Sequence, residues 1–210
     1  MFPLFSLFQS IVALLALSFP HPHVPKAIVM QGAGGKTTLM YFTVPYNPEQ
    51  VKNLPNGTEW HLGYAALEVG MPMMAGTTRI PVGTYKFNVL HDAEGGFTKF
   101  VLVPADLLAA SRAPRGQQPD AQKLAAVKAD LAAKGIPERI EFACETVPGK
   151  DAEHFGFAMM TEGYEATKRG SAEPKGGASF TLFANFGNLH RSAELVEEFP
   201  VKETAKDGGR

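Results

Sequence analysis

The chain has 210 residues, 45% of them hydrophobic and 20% charged, which is enough for one well-buried core and short for two independent domains. Its formal net charge is -1 with acids and bases interspersed, so there is no basic field to hold a phosphate backbone, and nucleic acid is excluded as an expected partner. The single cysteine, Cys144, excludes a disulfide framework and a thiolate metal site; within the apolar-alternating run from Arg139 to Thr146 it reads as a small packed hydrophobe.

The first element is an uncharged run from Phe2 to Phe19, whose hydrophobicity comes chiefly from Phe2, Leu4, Phe5, Leu7, Phe8, Ile11, Val12 and Leu14. A helix needs about 20 apolar residues to cross a hydrocarbon core, so the run is of marginal but adequate length. No Lys or Arg precedes Lys26, and the small-x-small site Ala16-Leu17-Ser18 lies inside the apolar run, which disfavours a cleaved signal. Pro3 at its start and Pro20-His21-Pro22-His23 at its end fit a retained, transmembrane-like helix. The expected organisation is a hydrophobic anchor or signal segment over 1–20, a linker over 21–25, one domain over 26–203 outside the cytoplasm, and a flexible tail over 204–210.

Short β-prone runs follow. Ala27 to Gln31 and Thr37 to Val44 flank Gly32-Ala33-Gly34-Gly35, which has the glycine content of a hairpin loop. Trp60 to Val69, Thr77 to Ile80, Gly83 to Leu90 and Phe97 to Val103 come next, separated by Pro55-Asn56-Gly57, Gly70-Met71-Pro72, Ala75-Gly76, Pro81-Val82-Gly83 and Glu94-Gly95-Gly96. Tyr85, Phe87 and Val89 alternate with Lys86 and Asn88, the mark of a half-buried strand with one wet face. One helix interrupts the pattern: Asp120 is its expected N-cap, Leu124, Val127 and Leu131 share a face, and Gly135 and Pro137 stop it. Strands resume at Arg139 to Val147, Phe155 to Thr161, Ser179 to Phe186 and Ser192 to Phe199, with a charged loop from Thr167 to Gly177. The expected fold is mainly β, an antiparallel sandwich with one amphipathic helix.

Motifs for chemistry are few. Gly32 to Thr38 resembles a phosphate-binding loop, but the position of its first glycine is Met30 and the following residues are β-branched and aromatic where a helix is required, so no nucleotide is expected. His21 and His23 lack an identifiable third ligand, and His61, His91, His154 and His190 are scattered; no metal and no cofactor are expected. No Gly-x-Ser-x-Gly element occurs, and no catalytic residue is assigned. Met71, Met73 and Met74 beside Pro72 offer either an adaptable contact surface or packing under a loop, with packing favoured.

The stretch Pro55-Asn56-Gly57-Thr58-Glu59-Trp60-His61-Leu62-Gly63-Tyr64-Ala65 resembles the bacterial domain of unknown function 2911 family, whose Pro-x-Gly-x-x-Trp-Arg-x-Gly-Ala-Asn motif precedes a Leu-Pro-Ala-Gly-x-Tyr-x-Leu turn. That turn corresponds here to Ile80-Pro81-Val82-Gly83-Thr84-Tyr85-Lys86-Phe87, and the resemblance covers about residues 26–103 and, more weakly, the C-terminal strands. It implies a secreted or membrane-associated bacterial β-sandwich of undetermined activity. His61 stands at the motif's arginine, Ala65 at its asparagine and Ala66 at the glutamate-like position after it, so the polar groups of that cluster are replaced.

The combined expectation is a non-enzymatic accessory or interaction subunit on the periplasmic face of a bacterial inner membrane. Its partners would be the bilayer and a membrane protein complex of respiratory, photosynthetic or secretion type. The alternative is a periplasmic small-ligand or carbohydrate-binding module with Trp60, Tyr64 and Tyr85 as apolar walls; the second alternative is a hydrolase with an unidentified site. Trp60, His61, Tyr64, Tyr85, Met71, Met73 and Met74 are the ligand or interface candidates.

Overall fold

The computed structural model describes residues 23–32, 35–92, 96–162 and 178–198. The expectations for 1–20, for the loop from Thr167 to Gly177 and for the tail over 204–210 lie outside the described residues, and among those that are described no helix is long and apolar enough to cross a membrane.

Period-two alternation builds two antiparallel sheets. The first contains β1 (Pro25–Gln31), β2 (Lys36–Phe42), β3 (Glu59–Val69), β6 (Gly83–His91), β7 (Phe97–Pro104) and β8 (Ile140–Ala143), in the order β1-β2-β3-β6-β7-β8. The second runs β10 (Ala152–Glu162), β11 (Ser179–Gly187), β12 (Leu189–Glu197), β4 (Met73–Ala75) and β5 (Thr78–Ile80), with β9 (Glu145–Thr146) also pairing β12. The glycine-rich segment is the expected hairpin: Gln31 faces Lys36 across β1 and β2, and Gly32 N–H donates to the Gly35 carbonyl at 2.9 Å. Strand, not helix, follows Lys36, so no helix N-terminus is present there to hold a phosphate.

The run read as one strand from Arg139 to Val147 breaks at Cys144. Upstream, β8 pairs β7 in the first sheet; downstream, β9 pairs β12 in the second. Cys144 is where the chain changes sheets, its amide donating to the Thr98 carbonyl at 2.9 Å. Its thiol is buried, and burial pushes its pKa up to about 11, which makes it the inert structural cysteine that its context predicted.

Between the sheets lies an aromatic core. Phe87 of the first sheet and Phe157 of the second meet edge to face at 5.3 Å, and Tyr41 meets Phe155 at 5.8 Å and Phe157 at 5.2 Å. Such rings bury large apolar areas and add a geometric preference of about 0.5–1.5 kcal/mol per pair.

Beyond the N-terminal run, the sequence predicts one helix, and the described residues form three. The expected one is α3 (Ala121–Ala133): the Asp120 carboxylate accepts from the Gln122 and Lys123 amides at 3.0 and 3.1 Å, and Gly135 follows with φ +66°. The short α1 (Pro48–Lys52) is capped by Asn47, a signal that proline at the first helical position also carries. α2 (Ala105–Ser111) has no side-chain cap, and its seven residues are too short for a helical period to show. It lies against β6, β7 and α3, covering part of the outer face of the first sheet. Val101 is consequently inaccessible although it points away from the core side chains Phe100 and Leu102.

Candidate functional site

The residues that mark a site cluster where β3 departs from regular pairing. Between His61, opposite Asn88, and Ala66, opposite Lys86, the register of β3 on β6 shifts by a bulge. Gly63 and Tyr64 carry it, with φ +54° and +52°. Glycine is required at 63, because a Cβ there would sit 2.3 Å from the Phe42 carbonyl oxygen. Tyr64 is the described non-glycine residue with positive φ, a conformation that costs about 1–2 kcal/mol for an L-residue. The bulge turns its ring outward, to 67% exposure. A strained backbone that displays an aromatic ring to solvent is the kind of outlier from which function is argued.

Beside this ring, β3, β6 and α2 enclose a cleft of about 270 Å³. Tyr64, Ala66 and Lys86 line it from the sheet, Leu108 and Ala109 from α2, and Arg112, the C-cap of α2, closes it; Tyr85 and Ala65 also border it. Burial, and then the nearby Arg112 guanidinium, hold the Lys86 ammonium below its usual pKa, against an opposing pull from Glu59. Among the described residues, neither Lys86 nor Arg112 forms an ion pair with a carboxylate. Two cations sharing a concave wall with no carboxylate in contact with either repel each other, and an anion placed between them relieves that repulsion.

On the same face a polar chain runs across the sheet. Arg139 Nη1 pairs with Glu59 Oε1 at 2.9 Å, Asn88 Nδ2 donates to Glu59 Oε2 at 2.7 Å, and His61 Nδ1 lies 2.8 Å from Asn88 Oδ1. Asn88 is buried, with 2% exposure, so its bonds decide its orientation. Arg139 Nε also pairs with Glu141 at 2.8 Å, and Lys99 with Glu141 at 3.0 Å. The hydrogen-bonded Lys99 ammonium, aided by Arg139, holds the Glu141 carboxyl below its usual range against partial burial.

The three rings expected to wall one pocket separate. Trp60 packs between Phe97 at 5.6 Å and Phe186 at 4.6 Å, facing the core. The residual gap there is about 20 Å³, room for a water and not for an organic ligand. Tyr85 is buried, its hydroxyl donating to the Pro81 carbonyl at 2.8 Å, and burial raises its pKa to about 12. Tyr64 alone is displayed, and His61 is exposed nearby. Met71 and Met73 are buried and Met74 is half-buried opposite Val196, so this trio packs into the fold.

His91 and His190 are also buried, His91 within 3.3 Å of the Pro55 carbonyl and His190 bonded to Asn185 at 2.9 Å. Among the described residues no three His, Cys, Asp or Glu side chains are grouped to hold a metal ion. A larger groove, about 370 Å³, lies at Glu145, Thr181 and Glu194. Glu194 is already engaged by the Ser179 hydroxyl at 2.7 Å, and that groove has neither strain nor cations.

Sequence reading missed Lys86, Asn88 and Arg112 as site residues because the cleft is assembled across strands and by an uncapped helix. A usable signal existed: Gly63 followed by an aromatic inside an otherwise regular strand pattern marks a bulge. The chain matches no protein-family model, and comparison with curated proteins and with solved structures gives no match.

Proposed function

We propose that the chain is a β-sandwich binding module, acting outside the cytoplasm, whose site is the cleft between Tyr64, Lys86 and Arg112 and whose ligand is a small anion with an apolar or flat body. The observation that carries this reading is the pair of cations, unpaired among the described residues, on one concave wall beside a ring held out by strained backbone. Apolar lining with a few convergent polar groups is the usual composition of a small-molecule site. The resemblance to the domain of unknown function 2911 family belongs to the same proposal: the residues from Pro55 to Ala65 that carry it supply a turn, with Gly57 at φ +76° and its amide donating to the His91 carbonyl at 2.7 Å, and the bulge that displays Tyr64.

The test is titration of the purified domain with benzoate and with inorganic phosphate, followed by calorimetry at low salt. Saturable binding that weakens with added salt is expected, with Lys86→Gln and Arg112→Gln each losing about tenfold or more in affinity, the worth of one charge-assisted contact. Binding unchanged in both variants would remove the site from this cleft.

The uncharged run from Phe2 to Phe19 supports a second, separate element of the proposal, that the module is held at a membrane and serves a membrane complex there. Its test is membrane retention of the full chain against a form lacking residues 1–20; equal solubility of the two would remove the anchor.

A further inference from the structure

The polar chain on the outer face has a direction, and that direction fixes the chemistry offered to a ligand. Glu59, paired with Arg139, presents carboxylate oxygens that only accept, so the group of Asn88 facing it at 2.7 Å is the amide NH₂. The Asn88 carbonyl oxygen therefore faces His61 Nδ1 at 2.8 Å, and a carbonyl oxygen only accepts, so Nδ1 carries the proton and donates. The neutral ring is left with its lone pair on Nε2, which has no hydrogen-bond partner among the described residues, and His61 is exposed. The relay from Arg139 through Glu59 and Asn88 thus presents an acceptor to solvent.

His61 stands directly opposite Asn88, and Lys86 lies two residues along β6 on the same face. Diagonal neighbours of this kind have side-chain roots about 7–8 Å apart. The bulge between positions 61 and 66 carries Tyr64, which is exposed and lines the cleft with Lys86. Cation and aromatic ring thus line one cleft, and the hydrogen-bond acceptor stands on the same face of the sheet, one step of the register away.

We infer that the ligand is an acidic sugar, a uronate whose carboxylate rests on Lys86 and Arg112, whose C–H face lies on Tyr64, and one of whose hydroxyls donates to Nε2 of His61. The inference rests on the cleft being an anion site. A pyranose ring carrying a carboxylate spans the gap, its ring hydrogens are attracted to the electron-rich face of a tyrosine, and its hydroxyls supply the donors that the fixed tautomer demands. A benzoate-like anion would leave the His61 lone pair unused.

The experiment measures calorimetric binding of D-glucuronate, of cyclohexanecarboxylate, which has a six-membered ring and the charge without hydroxyls, and of D-glucose, which has the hydroxyls without the charge. In the unmodified chain glucuronate is expected to bind about five- to tenfold more tightly than cyclohexanecarboxylate, the worth of one or two neutral hydrogen bonds, and glucose more weakly than either. In His61→Phe the preference for glucuronate is expected to vanish while cyclohexanecarboxylate binds as before. Long-range ¹⁵N spectra of the His61 ring supply a readout independent of any ligand: a protonated Nδ1 and a lone pair on Nε2 are expected, and Asn88→Leu should release that bias. Equal affinity for glucuronate and cyclohexanecarboxylate, or a proton found on Nε2, would overturn the inference and leave the anion site standing. Failure of both carboxylates, and of phosphate, to bind would overturn the site itself.

Discussion

Trp60 and His61 are adjacent in the chain and face opposite ways from one strand. Trp60 enters an interior where Phe97 and Phe186 close round it and leave space for about one water. His61 enters a network in which each partner's orientation is set by the next, ending in an exposed ring on the sheet face that carries the cationic cleft. The interior depends on volume, so it tolerates exchange of one apolar side chain for another of its size. The outer face depends on direction and charge, so there a substitution of equal size can remove everything the surface offers a ligand. An aromatic residue of a β-strand is therefore poor evidence of a binding wall until the face it occupies is known.

The largest effect expected from breaking this contrast is in the interior. Phe87→Ala removes an inaccessible ring that touches Phe100, Phe142 and Phe157, and should cost about 3–5 kcal/mol in denaturant unfolding. Under native conditions, ligand affinity at the cleft should be nearly unchanged. Next is Gly63→Ala, which places a Cβ against the Phe42 carbonyl at positive φ; a loss of at least about 2 kcal/mol is expected, with binding lost too because the bulge reshapes. Tyr64→Asn separates the two regions most sharply. Asparagine tolerates the left-handed conformation, so stability should rise by about 0.5–1 kcal/mol while affinity falls, the signature of strain kept for function.

Titration gives subtler contrasts. Tyr85 is buried with its pKa raised to about 12 from 10.0, so its neutral form favours the fold below pH 10, and that contribution is lost as pH rises from 10 towards about 12. Lys86 has the opposite sign: its folded pKa is lowered, so its charged form opposes folding at neutral pH and that cost is relieved as pH approaches 10.5 from below. Over the same window the anion site should weaken as the ammonium discharges, so affinity and this part of the stability move in opposite directions. The smallest effect is none: Cys144, buried and with its pKa raised to about 11, should resist thiol reagents at pH 8 in the folded protein and react after unfolding.

The legibility of these regions in the sequence follows the same division. Strand alternation such as Tyr85, Phe87 and Val89 is local, and all three of these residues are buried. The cap at Asp120 is equally local, since a carboxylate and two amides within three residues suffice. The three-residue β4 was unreadable because Met73 and Met74 next to Pro72 show no period, and its partners lie on β12 and β5. Lys86 and Asn88 are legible as the wet face of a strand, yet Asn88 is buried and bonded to His61 and Glu59, and that fact belongs to register and not to spacing. Arg112 joins the cleft only through α2, whose short uncapped run of Ala and Leu carries no signal.

The most direct test of the account maps glucuronate-induced shifts in the backbone amide and Trp60 indole resonances of the isotope-labelled protein. Perturbations are expected to gather at residues 63–66, 86–88 and 108–112, with the Trp60 indole unmoved. Shifts centred on Trp60, Phe186 and Leu189 would place the ligand between the sheets and contradict the assignment of function to the outer face.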